Sequence, residues 1–227
     1  MSGTINYTDP NYNFLGNALS YYLTSETNDQ PNQGYKNTII GAGISTTFEQ
    51  YNDVYTNIGI NATHDDLQTL DSATASLKKQ SGDFNEISGT YGFTFDKRNR
   101  SFMPTDGSII SFNQSLPIYA DKSFISNALS ASNYKTITED VIGATKIYFA
   151  AINGLGSDDV RLSKRRALSA SRLRGFEKGK VGPIDGTDHI GGNYAAALNF
   201  EAKLPNFFPE STQTDIGFFL DFGNVFS

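Results

Sequence analysis

The chain has 227 residues, enough for one all-β domain or two small ones, and a formal charge of −6, which argues against a general nucleic-acid-binding surface. It contains no cysteine, so disulfides, thiol catalysis and zinc–thiolate sites are excluded. The first residues show neither the basic nor the apolar region of a signal peptide, and no apolar run approaches the ~20 residues of a membrane helix.

The signal left in the chain is alternation. Its 12 tyrosines and 17 phenylalanines, in a sequence only 38% hydrophobic, point to many half-apolar strands rather than one thick core. A short β-like run over residues 3–7 is broken by Asp9-Pro10-Asn11. Residues 17–24 put Leu19, Tyr21 and Leu23 on one face, and the polar residues 25–34 read as a loop. Residues 38–48 set Ile40, Ala42, Ile44 and Phe48 against Gly41, Gly43, Ser45 and Thr47. After a tight turn at Tyr51-Asn52-Asp53, Val54, Ile58, Ile60 and Ala62 oppose Tyr55, Asn57, Gly59 and Asn61. Alternation lapses over residues 64–83, where 71–79 is expected to form a short helix within a loop.

Strand character resumes over residues 85–96, with Ile87, Tyr91, Phe93 and Phe95 on one face. A turn follows through Lys97-Arg98-Asn99-Arg100 and Pro104-Thr105-Asp106-Gly107. Residues 108–118, 124–137 and 141–153 give three further strands, the middle one more polar. Residues 157–171 are basic and polar. They lead into Arg172-Leu173-Arg174-Gly175-Phe176, a stretch without alternation that continues through Gly182-Pro183 to Gly191-Gly192-Asn193. The cleanest alternation follows. Tyr194, Ala196, Leu198, Phe200, Ala202 and Leu204 face one way, with Asn199, Glu201 and Lys203 opposite. Beyond a turn over residues 205–212, Ile216, Phe218, Leu220 and Phe222 oppose Phe219 and Asp221. The reading gives ten strands joined by hairpins and no long helix.

Serial hairpins with one apolar face suit two architectures. A soluble sandwich or barrel hides that face, whereas a membrane barrel turns it to lipid and keeps the polar face in the lumen. Short turns at 51–53 and 138–140 alternate with long segments at 25–34, 64–83 and 157–192, the asymmetry of membrane barrels. In the barrel reading, Glu201 and Asp221 share the lumenal face. A loop over residues 156–192 that folds inward brings Arg174 within reach of both. Phe176 would be its bulky anchor, and Gly175, Gly179, Gly182, Gly186 and Gly191 would permit its tight backbone. The plainer reading leaves Arg174 solvated and the two acids as ordinary pore-lining charges.

Other signals are weak. Gly175-Phe176-Glu177-Lys178-Gly179-Lys180 has the wrong glycine spacing for a phosphate loop, and Val181 stands where Ser or Thr is needed. His64, beside Asp65 and Asp66, reads as a solvated loop residue, and His189 has no second histidine near it. Asn6-Tyr7-Thr8, Asn61-Ala62-Thr63 and Asn113-Gln114-Ser115 match a glycosylation pattern within strands. Lys164-Arg165-Arg166 reads as a solvated loop face, with contact to anionic lipopolysaccharide as the functional reading. No catalytic, cofactor or metal constellation is found, so a non-enzyme is expected.

Arg172-Leu173-Arg174-Gly175-Phe176, Gly182-Pro183, Gly191-Gly192-Asn193, Asn199-Phe200-Glu201, Leu204-Pro205 and Asp221-Phe222-Gly223-Asn224-Val225 recur in an order that resembles the C-terminal barrel of the BamA-like outer-membrane protein assembly factors. The turn from Asp96-Lys97-Arg98-Asn99 to Pro104-Thr105-Asp106-Gly107 is similar to that family's turn between two central strands. The resemblance implies an all-β antiparallel transmembrane barrel, about ten of sixteen strands, over residues 1–227. By the same motifs, Arg174 would be the family's lumenal loop arginine, and Glu201 and Asp221 its partners on the wall. It further implies insertion and folding of β-barrel proteins in the bacterial outer membrane, without catalysis or cofactor. A two-partner secretion-type pore and a passive channel are the alternatives. Expected partners are unfolded outer-membrane β-barrel proteins, accessory assembly lipoproteins, the bilayer and lipopolysaccharide, and no nucleic acid. The first three and last three strands, and the periplasmic polypeptide-transport-associated (POTRA) domains, are expected to lie outside this chain.

Overall fold

The structure, a computed structural model, describes residues 2–205, 207–208 and 215–227. Strands β1 (Gly3–Asp9), β2 (Ala18–Gln30), β3 (Tyr35–Tyr51), β4 (Val54–Thr69), β5 (Gly82–Asp96), β6 (Gly107–Ala120), β7 (Phe124–Thr138) and β8 (Val141–Gly154) form an antiparallel meander. A long loop follows, holding only a 3-10 turn (Leu162–Lys164) and a two-residue ladder of β9 (Ile184–Asp185) with β10 (Asp188–His189). Strand β11 (Tyr194–Leu204) then pairs with β8, and β12 (Ile216–Phe226) pairs with β11. The result is one ten-stranded sheet, the all-β antiparallel architecture that the alternation predicts.

Register converts the alternation into two faces. Ile44 stands opposite Ile60, Ile58 opposite Tyr91, Phe93 opposite Phe112, Leu129 opposite Phe149 and Leu198 opposite Phe222. The large side chains of this face are exposed, with Ile40 at 56%, Ile60 at 52% and Phe222 at 53%. The buried residues lie on the other face, under the loop. Tyr35, Leu67, Ala73, Leu77 and Leu162 make one cluster, and Leu168, Leu173, Ala195, Ala197 and Val225 another. A sheet with its aliphatic and aromatic face outward and its packed face inward is built for lipid on one side.

The sheet is rolled. On a flat sheet β3 and β12 would lie seven strand-to-strand steps apart, roughly 34 Å at ~4.8 Å per step. Yet a Cβ at Gly179 would lie 3.4 Å from Gln33, in the turn before β3, and a Cβ at Gly182 would lie 2.7 Å from Val225 of β12. Three residues of chain reach only about 11 Å. The two edges of the wall must therefore curl toward each other around the loop. Adjacent glycines repeat the measurement, Gly191 touching Gln33 and Gly192 touching Phe226.

Strand ends depart from the sequence expectation on the side of the sheet that carries the long loop. Residues 25–30, expected as loop, continue β2, with Thr27 opposite Thr38 and Gln30 opposite Tyr35. Residues 64–69 likewise continue β4, so the connection to β5 shrinks to residues 70–81, with a short helix α1 (Ala75–Lys78) inside the expected span. Strand β3 has 17 residues and β4 has 16, whereas a tilted strand crosses a bilayer in about 9–11. Beyond the bilayer both faces meet water or polypeptide, so the ladder goes on while apolar alternation stops. His64 consequently sits on a strand, its Nδ1 2.9 Å from Asn85 Oδ1. The expected turn over residues 205–212 falls largely outside the described residues.

Candidate functional site: where the loop meets the wall

The loop over residues 155–193 is pinned first by Arg174. Its Nε and Nη2 donate to the two carboxylate oxygens of Asp221 at 2.7 and 2.6 Å, and its backbone N–H adds a third bond at 3.0 Å. Nη1 lies 3.0 Å from Glu201 Oε1. The guanidinium also stacks over the Phe219 ring, 3.9 Å from its centroid. Strand register explains the convergence, because Asn199 is opposite Asp221 and Glu201 is opposite Phe219, all on the inner face. Asn199 Nδ2 bridges the Asp221 carboxylate at 2.7 Å and the Arg172 carbonyl at 2.8 Å. Lys146 holds the second Glu201 oxygen at 2.8 Å. The Asp221 side chain is 3% exposed, so its charge relies on these donors. Hydrogen bonding to Asp221 raises the Arg174 guanidinium further above its ordinary range, so it is charged at every working pH.

Around this clamp the motif divides its labour differently from the sequence expectation. Phe176 is 57% exposed and belongs to none of the buried clusters. The apolar anchor is Leu173, which packs with Leu168, Ala195, Ala197 and Val225. The reason is local: with Arg174 directed at the wall, Leu173 meets the inner face, and the left-handed Gly175 (φ +85°) turns the chain outward before Phe176. The other four glycines of the stretch also take positive φ. At Gly182 (φ +116°) a Cβ would run into Val225.

A second clamp, which the sequence reading missed, lies across the lumen. Arg161 is 3% exposed; its Nη2 is 3.0 Å from Glu86 Oε2 and its Nε 3.5 Å from Asp65 Oδ2. Lys164 adds a contact to Glu86 at 3.0 Å, while Ser163 and Asn37 donate to Asp65 at 2.6 Å each. Phe84 and Phe124 sandwich the guanidinium, with centroids at 5.0 and 5.7 Å. Burial pulls the Arg161 guanidinium below the usual arginine range, with Asp65 and Glu86 pulling the other way. The triplet Lys164-Arg165-Arg166, expected as a solvated face, is thus turned inward. Lys164 meets Glu86, Arg165 meets Asp159, and Arg166 meets the Ser126 hydroxyl. For Lys164 the inner-face acid Glu86 supplies the reason.

The hairpin of β9 and β10 is tied to the segment before α1, since Thr74 donates its N–H to Asp188 at 3.1 Å and its hydroxyl to Asp185 at 3.0 Å. Among the described residues no group of three His, Cys, Asp or Glu side chains could hold a metal ion. The geometry offers clamping and shape.

A rolled antiparallel meander, apolar outside and closed over an ion-paired loop inside, defines an outer-membrane type of β-barrel wall. Residues 1–227 match the family model described as the Omp85 superfamily domain, and the chain belongs to that superfamily. It is similar to the sorting and assembly machinery component 50 homolog of Mus musculus, at 28% identity over 163 residues, 67% of this chain and 34% of that protein. It is also similar to the outer membrane protein assembly factor BamA of Neorickettsia risticii, at 23% identity over 203 residues, 87% of this chain and 27% of that protein. The crystal structure of BamA from Haemophilus ducreyi lacking POTRA domains 1–3 has the same fold, with a TM-score of 0.84 at 23% identity, covering 99% of this chain and 49% of that one. The chain therefore has a BamA-like barrel fold, is an outer-membrane protein, and spans about a third of the length of the curated relatives it matches.

Proposed function

We propose that this chain is the barrel portion of a bacterial outer-membrane protein assembly factor, one that inserts and folds β-barrel proteins into the outer membrane. The observation that carries the reading is the Arg174 clamp, a loop cation held by two wall carboxylates inside a rolled sheet. Such a brace suits a barrel that keeps its shape while its seam opens and an incoming strand is added at an edge. Membership of the Omp85 superfamily and the likeness to a bacterial outer membrane protein assembly factor support it. The bacterial relative aligns over 87% of the chain at 23% identity and the mouse protein over 67% at 28%; the longer alignment is the support for a bacterial membrane.

In this reading the partners are unfolded outer-membrane β-barrel proteins, the bilayer, lipopolysaccharide, and accessory lipoproteins docked on periplasmic domains of the whole protein. The work is binding and templating, with no catalytic step and no cofactor. A two-partner secretion-type pore is the alternative within the superfamily. A loop clamped at both sides of the lumen argues against a passive channel.

The test uses the full-length protein in proteoliposomes, with a urea-unfolded β-barrel as substrate and folding read by gel mobility. Folding faster than in empty vesicles, and slowed by Arg174→Ala, is the expected result. Equal rates with and without the protein would sink the assembly reading. Substrate recovered inside the vesicles would identify a secretion pore, and a large steady conductance indifferent to Arg174→Ala a passive channel.

A further inference from the structure

Between the loop and strands β2, β3 and β8 lies a cavity of about 280 Å3. The loop brings Arg165, Arg166 and Lys178 to it and the wall Asn28 and Gln33; no Asp or Glu lines it, and the acid behind the lining, Asp65, is taken up by Asn37 and Ser163. Elsewhere in this loop Arg161, Arg172 and Arg174 each face a carboxylate or an aromatic ring, although Nε and Nη1 of Arg161 also lack a hydrogen-bond acceptor. Arg161 has Asp65 and Glu86, Arg174 has Glu201 and Asp221, and Arg172 lies on the Tyr148 ring at 3.5 Å. Arg165 meets Asp159, itself 77% exposed and thus a weak, solvated partner.

Arg166 is the exception. Its Nη2 donates to the neutral Ser126 hydroxyl, its Nε is buried with no acceptor, and among the described residues it has no carboxylate. Burial pulls its guanidinium below the usual arginine range, the direction expected of a desolvated cation lacking a counterion. Lys178, exposed at the cavity, likewise has no carboxylate among the described residues.

We propose that this cavity binds a phosphate-class oxyanion, held by Arg166 and Lys178 with the amides of Asn28 and Gln33 as further donors. With Nη2 on Ser126 and Nε buried, Arg166 offers such an anion its Nη1 and its charge rather than the paired Nε/Nη2 edge. The space exceeds several times the ~30 Å3 that one water occupies, so a tetrahedral anion enters with part of its hydration. Loop and wall both line the site, so an occupant stabilises the docked loop by mass action. The phosphate comes from the free inorganic ion or from a lipid headgroup.

The test titrates inorganic phosphate at constant ionic strength into the full-length protein in nonionic detergent, followed by calorimetry and phosphorus NMR. One saturable site is expected, weakened about tenfold by Arg166→Gln and about threefold by Lys178→Gln, as loss of charge-assisted bonds predicts. Lys178 is exposed, so its variant keeps the test open if Arg166→Gln fails to fold. Repeating the titration in phosphatidylcholine bilayers, with and without phosphatidylglycerol, separates the two sources. Competition by phosphatidylglycerol in the wild type identifies the headgroup, and its absence identifies the free ion. A wild-type response no greater than salt screening, or equal affinity in wild type and in every variant that folds, overturns the proposal.

Discussion

Leu173 and Phe176 stand in one five-residue motif and face opposite environments. Leu173 is buried among Leu168, Ala197 and Val225, so Leu173→Ala should cost about 2–3 kcal/mol through lost contacts and a cavity. Phe176 is largely exposed, so Phe176→Ala should change stability by no more than ~0.5 kcal/mol. Denaturant unfolding in detergent micelles measures both, and equal effects would contradict the packing. The acids between which Arg174 sits are unequal too. Asp221 accepts four bonds, three from Arg174 and one from Asn199. Glu201 is shared between Arg174 and Lys146. Removing Arg174 strands the Asp221 charge, and Arg174→Ala should cost about 3 kcal/mol. Glu201→Gln should be milder than Asp221→Asn, because Lys146 pairs with Glu201 independently of the loop. A double-mutant cycle of Arg174→Ala with Asp221→Asn should show a coupling of about 1–2 kcal/mol. Additivity would mean that the pair does not act as one unit in the native state.

At the scale of elements, two clamps set thirteen residues apart hold one loop to opposite sides of the wall, and only one was legible in the sequence. Glu201 and Asp221 stand out because they are acids on the polar face of the cleanest alternation in the chain, close after the loop that carries Arg174. Arg161 gave no such signal: Glu86 lies 75 residues away in the chain, and Asp65 fell where alternation had already lapsed. The ten strands were readable because lipid demands an apolar face at every second residue, but that demand ends at the bilayer surface. The upper parts of β2 and β4, polar on both faces except for Leu67, therefore looked like loops. Arg161→Met should leave Asp65 and Glu86 buried without their main cation, at a cost of about 3–5 kcal/mol. Trypsin should then cut faster at residues 164–166. Adding Asp65→Asn and Glu86→Gln should restore part of the protection, since no buried charge is left unmatched. If protection falls further instead, the cluster acts through hydrogen bonding more than through charge. Gly182→Ala puts a Cβ into Val225 at a left-handed φ, and should cost about 2 kcal/mol or more.

For the molecule as a whole, the decisive property is which face of the sheet meets lipid. Ile60 and Asn61 are consecutive in β4, and the pleat sends Ile60 outward, 52% exposed, and Asn61 to the inner face opposite Gly43. In a membrane barrel the outward position lies in hydrocarbon, so Ile60→Arg should cost about 2–4 kcal/mol near the midplane. In a soluble sheet open to water on that face, the same change should be nearly neutral. These residues contain no cysteine, so a spectroscopic version places single labels in them, any cysteine elsewhere in the full-length protein being replaced first. With the full-length protein in bilayers, a fluorophore on Ile60→Cys should be quenched by brominated lipid, and one on Ser45→Cys of the inner face should not. Equal quenching at the two positions would mean that lipid reaches both faces, which the curl around the loop forbids. The same rolled geometry ties this outcome to the loop. Gly191 and Gly192 touch opposite parts of the wall, so releasing the two clamps should loosen the curl and let quencher approach the inner label. Arg161→Met combined with Arg174→Ala should therefore raise quenching at position 45, with position 60 unchanged.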